Sequence, residues 1–174
     1  MAKKRSSDKT VCEGKHIRLV QRGTYEFASR RKVSGIVMIA ALTDEKKLLL
    51  VEQFRPPLGK RVIELPAGLA GDSAKHAGEP LVNAAKRELF EETGYEARRW
   101  KQVAEGPPSA GICDEVITLF VASGLTKTGD GSGDGQEDIT LHEVELSKLP
   151  AFLRRKSRAG CLIDLKLYAG LNFL

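Results

Sequence analysis

The sequence predicts an α/β fold, an α/β/α sandwich around a mixed sheet, preceded by a short N-terminal antiparallel β subdomain. Three observations carry this expectation. Gly35 to Leu42 is a continuous apolar run of buried-strand length. Leu81 to Glu92 has neither Pro nor Gly and is rich in Ala, Leu, Lys, Arg and Glu, so a helix falls in the middle of the chain with strand-like segments on both sides. Cys161 to Leu171 is amphipathic and supplies a closing helix for the other face of the sheet.

Taken in order, residues 1–13 read as a disordered basic tail. His16 to Val20 and Thr24 to Arg30 alternate about the turn Gln21-Arg22-Gly23, as a hairpin does. After the Gly35–Leu42 strand, Thr43-Asp44-Glu45-Lys46 is a polar turn and Lys47 to Phe54 the next strand. Pro56-Pro57-Leu58-Gly59 breaks it, and Val62 to Leu65 is extended again before Pro66. Thr93-Gly94 ends the central helix. Arg99 to Val103 and Glu115 to Ala122 follow as strands around the loop Gly106–Gly111. Thr128 to Gly135 is glycine-rich and reads as flexible. Ile139 to Leu146 alternates as a strand with one wet face. Ser147 is placed to cap a short helix from Lys148 that Pro150 interrupts. No repeat and no linker divides the chain.

The 174 residues, 41% hydrophobic and 29% charged, suffice for one domain with a sizeable core. No apolar run approaches membrane-spanning length, and the start lacks an apolar signal core, so a cytoplasmic protein without a membrane partner is expected. Cys12, Cys113 and Cys161 are too widely spaced for a disulfide framework or a metal pair. Net charge is +5, concentrated in the tail and in Arg154-Arg155-Lys156 with Arg158. No aromatics are interleaved for base stacking, so nucleic acid is not the expected partner. The Asp130–Gly135 glycines match neither a calcium loop, whose twelfth position would be Leu141, nor a dinucleotide fingerprint.

The chemistry concentrates on Arg87-Glu88-Leu89-Phe90-Glu91-Glu92-Thr93-Gly94-Tyr95. On a helix Glu88 and Glu92 share a face, with Glu91 beside them. A bare Glu-Glu pair is usually a solvated acidic face, but carboxylates stacked this way also form a seat for a hard divalent cation. Upstream stand Glu64-Leu65-Pro66-Ala67-Gly68-Leu69 and then Glu79, eight residues before Arg87. Together these resemble the Nudix box, the loop–helix–loop of hydrolases that cleave a nucleoside diphosphate linked to a further moiety. The sequence departs from the pattern in one respect: Gly68 stands eleven residues before Glu79 instead of six, so the loop is longer by five.

Val51-Glu52-Gln53-Phe54-Arg55-Pro56-Pro57, Pro108 to Glu115 and Gly135-Gln136-Glu137-Asp138-Ile139 look like the ADP-ribose pyrophosphatase branch, with Ala110 where that branch has Pro and Cys113 where it often has Ser. The resemblance implies a fold of the kind described and divides the chain into the tail, a dimer-forming hairpin at 14–32 and a hydrolase domain at 33–174. It implies Mg²⁺, with Mn²⁺ as a substitute, held by the Ala67 carbonyl, Glu88 and Glu92, with Glu91 at a second metal. It makes Glu137 both a further metal-holding residue and the group that positions or deprotonates the attacking water, catalytic together with Glu88 and Glu92. Gly68, Glu79, Arg87 and Gly94 become structural members of the box. Arg55 and Glu115 would contact the diphosphate or terminal ribose, and Tyr25 and Glu26 the base, across a homodimer. The implied reaction is hydrolysis of ADP-ribose to AMP and ribose 5-phosphate. Another nucleoside diphosphate sugar, such as ADP-glucose or GDP-mannose, is the nearest alternative. An RNA 5′-pyrophosphohydrolase and a non-catalytic ADP-ribose sensor are further off.

Overall fold

The computed structural model describes residues 7–131 and 138–174. Gly35–Leu42 forms β4, the centre of the main sheet, parallel to β9 (Ile117–Lys127) and antiparallel to β7 (Ala67–Ala70). β5 (Lys47–Arg55) pairs antiparallel with β6 (Lys60–Glu64) on one edge and β10 (Ile139–Glu145) on the other. β8 (Tyr95–Gly106) is antiparallel to β9, and the short β11 (Leu162–Ile163) is parallel to β6. The sheet is therefore mixed.

Alternation along β4 builds two cores. Val37, Ile39 and Ala41 point to α1 (Leu81–Thr93), where they meet Ala84, Ala85 and Leu89. Met38 and Ala40 point the other way, to Phe152 and Leu153 of α2 (Leu149–Arg158) and Leu167 of α3 (Leu165–Leu171). A strand covered on both faces must be apolar at every position, which is why this run shows no alternation in its sequence. The helices on the two faces complete the expected sandwich.

The differences from the expected elements have local causes. β1 (Lys9–Glu13) is a strand where a tail is expected: it pairs with β2 (Ile17–Arg22), which pairs with β3 (Tyr25–Arg30), so the N-terminal unit is a three-stranded antiparallel sheet. A bidentate ion pair from Arg22 to Asp8, at 2.6 and 2.7 Å, anchors its start. β8 and β9 outrun their apolar segments because each supplies the other's ladder, across a bulge between Gln102 and Ala104. Pro150 lies in the first turn of α2, where its missing N–H costs nothing, and the helix continues beyond it. Ser147 does not cap: Lys148 holds the cap position without a side-chain bond. The closing helix starts only at Leu165, where the Asp164 carboxylate accepts the Lys166 N–H at 2.9 Å. Gly94 ends α1 at φ 71°, its N–H donating to the Phe90 carbonyl at 2.8 Å. The described part of the glycine-rich segment packs there: Thr128 and Gly129 donate to the Gly94 carbonyl at 2.9 and 3.1 Å.

One buried carboxylate ties the second face together. Glu52 of β5 accepts from Arg61 Nε of β6 at 2.8 Å and Lys156 Nζ of α2 at 2.6 Å, and lies 2.8 Å from His142 Nε2 of β10. Burial alone would raise its pKa, but hydrogen bonds from Lys156, His142 and Arg61 outweigh it and hold the carboxyl at about 2. A carboxylate depressed in the folded state contributes stability above its unfolded value and loses it as pH falls through the folded one. Glu52→Gln is therefore expected to lower the unfolding free energy by about 2–4 kcal/mol at pH 7. The deficit relative to wild type should shrink as pH falls from 4.5 towards 2, read by urea denaturation at stepped pH.

Candidate active site

α1 presents Glu88, Glu91 and Glu92 towards β7, and the absence of a side chain at Gly68 decides how closely they meet. A Cβ on Gly68 would lie 1.9 Å from the carboxyl carbon of Glu88. The Glu88 carboxylate thus occupies the space beside the strand backbone that any other residue would fill. Next to it the Ala67 N–H donates to Glu92 Oε2 at 3.1 Å. Leu89, Ala84 and Ala85 bury the opposite stripe of the helix and hold these glutamates in place.

Arg87 knits the corner together. Its Nη1 donates to Glu88 Oε1 at 2.8 Å and to Glu91 Oε2 at 3.0 Å. Its Nη2 donates to the Leu69 carbonyl at 2.9 Å and Glu79 Oε1 at 3.1 Å. Glu79 Oε1 also accepts the Gly71 N–H at 3.4 Å. Burial would raise the Glu79 pKa, but Arg87 and the Gly71 N–H outweigh it and the value is lowered. At Glu88 the balance goes the other way: burial raises its pKa to about 7 against the opposing pull of Arg87, and the charges of Glu91 and Asp72 add to the rise.

Two cavities flank β7, and Ala67, Gly68 and Leu69 line both. The first, about 320 Å³, is walled by Glu88, Glu91, Glu92 and Arg87 and by Asp72 and His76 of the lengthened loop. The second, about 340 Å³, contains three ion pairs. Arg55 Nε donates to Glu64 Oε2 at 2.7 Å, Arg30 Nε donates to Glu115 Oε1 at 2.8 Å, and Lys166 Nζ pairs with Asp164. Burial raises the pKa of Glu64, Arg55 opposes the rise, and Asp164 adds to it.

Of the residues singled out from the sequence, the structure brings Ala67, Gly68, Glu79, Arg87, Glu88, Glu91 and Glu92 into one corner and Arg55 and Glu115 into the adjoining cavity. Tyr25 is not with them within this chain. It lines a separate cavity of about 330 Å³ with Phe27, Arg22 and Gly111, and Glu26 sits opposite Gln21 in the β2–β3 ladder. Glu137 lies outside the described residues; its neighbour Asp138 pairs with Arg61 at 2.6 Å. Arg30, Glu64, Asp164, Lys166, Asp72 and His76 escaped a site reading of the sequence. Only Glu64, inside the quoted Glu64–Gly68 segment, carried a local signal. The others are remote in sequence or fall in the extra loop residues.

The corner fits a divalent cation. Its donors are carboxylate oxygens and the adjoining backbone, the set a hard cation takes. The cradle left by Gly68 holds one carboxylate where a side chain would exclude it. Among the described residues no three acidic, His or Cys side chains already converge on one point; Arg87 bridges Glu88 and Glu91 instead.

The family model "NUDIX domain" matches residues 33–162. The chain is 38% identical over 123 residues to a methanol dehydrogenase activator of Bacillus methanolicus, covering 70% of this chain and 64% of that protein. It is 38% identical over 123 residues to an ADP-ribose pyrophosphatase of Bacillus subtilis (strain 168), covering 68% of this chain and 64% of that one. The chain thus spans just under two thirds of the length of these relatives. A crystal structure described as an ADP compounds hydrolase superposes with a TM-score of 0.69 over 87% of this chain and 82% of that one, at 19% identity, and shares the fold.

The Glu88 shift has a testable sign. A carboxyl raised in the folded state contributes stability below its unfolded value and loses it as pH rises through the folded one. In excess chelator the protein should lose on the order of 2–3 kcal/mol between pH 4.5 and just above 7 from this group. Glu88→Gln should flatten that slope, measured by thermal unfolding across the range.

Proposed function

The chain belongs to the NUDIX domain family, and from that membership we propose that it hydrolyses the diphosphate of ADP-ribose to AMP and ribose 5-phosphate. The observation that carries the reading is the shared wall. A diphosphate lying across Ala67–Gly68 meets the α1 carboxylates on one side, and its sugar enters the cavity of paired charges on the other. The name of the Bacillus subtilis relative supports the same substrate.

The Ala67 carbonyl, Glu88 and Glu92 would hold Mg²⁺, or Mn²⁺ in its place, with Glu91 at a second ion. Such ions neutralise phosphate oxygens and lower the pKa of bound water. Arg55, already fixed by Glu64, has N–H groups left for a phosphoryl oxygen or the terminal ribose, and Glu115 is held by Arg30 near the same end. The Glu137 carboxylate takes the proton of the attacking water. The water oxygen bonds to phosphorus, the bridging P–O bond breaks, and the bridging oxygen leaves with the other phosphate. Gly68, Glu79, Arg87 and Gly94 shape the corner and do not react.

We also propose a homodimer formed through the N-terminal sheet. Tyr25 is 70% exposed there, on the face of the sheet it shares with Arg22 and Phe27, and a second copy would cover it. Tyr25 and Glu26 would then hold the base at the partner's site. Among the described residues no helix is long and apolar enough to cross a membrane. The three cysteines are free, which supports a reducing, cytoplasmic setting.

The test is turnover on a panel of ADP-ribose, ADP-glucose, GDP-mannose and 5′-triphosphorylated RNA with Mg²⁺. ADP-ribose should be preferred by kcat/KM, and excess chelator should abolish turnover. Preference for another sugar would move the substrate within the same chemistry; preference for RNA would overturn the reading. Glu92→Gln and Glu137→Gln should each lower kcat by roughly two to four orders of magnitude with little change in KM, the signature of a lost transition-state interaction. Light scattering at micromolar concentration should give twice the chain mass.

A further inference from the structure

The lengthened loop between Gly68 and Glu79 folds back onto the box. Gly71 N–H donates to Glu79, the Glu79 N–H donates to the His76 carbonyl at 3.1 Å, and Ala74–His76 makes one 3-10 turn. This arrangement brings Asp72, Ser73 and His76 into the wall of the cavity that Glu88, Glu91 and Glu92 line. The His76 side chain is only 22% exposed, and its Nδ1 lies 3.1 Å from Ser73 Oγ and 3.5 Å from Asp72 Oδ1.

The ring is therefore oriented through one nitrogen. A hydroxyl and a carboxylate hold Nδ1, while Nε2 has no hydrogen bond to a described residue. With the Ser73 hydroxyl donating to Nδ1, the ring proton sits on Nε2, which is then a donor. A staple that served only the loop would need no place in this cavity, because the backbone bonds to Glu79 already fix the loop. The carboxylates would attract no anion themselves. Once they hold a cation, the anionic group brought against them is a phosphoryl, and an N–H donor on the facing loop complements it.

We propose that His76 is a substrate-binding residue of this chain, whose Nε2–H hydrogen-bonds a phosphoryl oxygen of a nucleoside diphosphate substrate, with Asp72 and Ser73 orienting the ring. The inference rests on the hydrolase reading above. It assigns the lengthened loop to substrate affinity and leaves the bond-breaking step to other groups.

The test compares wild type, His76→Ala and His76→Gln, with ADP-ribose as substrate and α,β-methylene ADP-ribose as a non-hydrolysable ligand measured by calorimetry with Mg²⁺. A contact made equally in ground and transition states changes KM alone. His76→Ala should raise KM and weaken analogue binding by about tenfold, with kcat within about threefold of wild type, and the Gln amide should restore part of the loss. The melting temperatures of the three proteins should agree. Unchanged KM and unchanged analogue affinity in His76→Ala would overturn the inference while the hydrolase reading stands. A joint fall in kcat and melting temperature, unrelieved by Gln, would overturn it too by making His76 a loop support. If wild type neither turns over nor binds either compound, the hydrolase reading fails first and takes this inference with it.

Discussion

The Glu88 carboxylate sits where a side chain on Gly68 would be, and the rest of the corner depends on that close approach. Because α1 and the β7 backbone come this near, Ala67 can donate to Glu92 and its carbonyl can share a corner with three glutamates. Carboxylates gathered on one helix face repel each other. Arg87 offsets the repulsion through Glu88, Glu91 and Glu79, and its hydrogen bond to the Leu69 carbonyl ties the same guanidinium to the strand. Burial raises the Glu88 pKa in spite of Arg87, and the charges of Glu91 and Asp72 add to the rise. A cation bound beside these carboxylates would favour their ionised forms.

On the far side of β7 the electrostatics are already balanced. Each of the three cations in that cavity faces a carboxylate. Such a pocket has little net field, but its pairs keep spare donors and acceptors, the complement a hydroxyl-rich sugar requires. Under the proposed reading, affinity for the charged diphosphate and recognition of the sugar would fall to different walls of one strand. The Glu52 cluster stands apart from both: it joins β5, β6, β10 and α2, and Arg61 carries the link on to Asp138 at the start of β10's approach.

Much of this was legible in the sequence because it is local. The apolar run at Gly35–Leu42 and the Pro-free, Gly-free stretch of α1 each specify an element by themselves, and Glu88, Glu91 and Glu92 share a face by helical period alone. What was not legible depends on partners distant in the chain. β1 exists because β2 offers an edge, and β7 and β11 are too short to have a pattern of their own. Pro150 reads as a breaker until its place in the first turn is known. Lys166 and Asp164 reach the cavity of paired charges only because β11 docks on β6 and turns α3 towards it. His76 gave no site signal because nothing in its neighbours' identity says that the loop folds inward.

The central claim is that the corner between Gly68 and α1 is a cation seat, and anomalous diffraction from Mn²⁺-soaked crystals tests it most directly. The account predicts an anomalous peak bonded to the Glu88 and Glu92 carboxylates and the Ala67 carbonyl. Full occupancy of Mn²⁺ elsewhere, with no peak at Glu88, would contradict it.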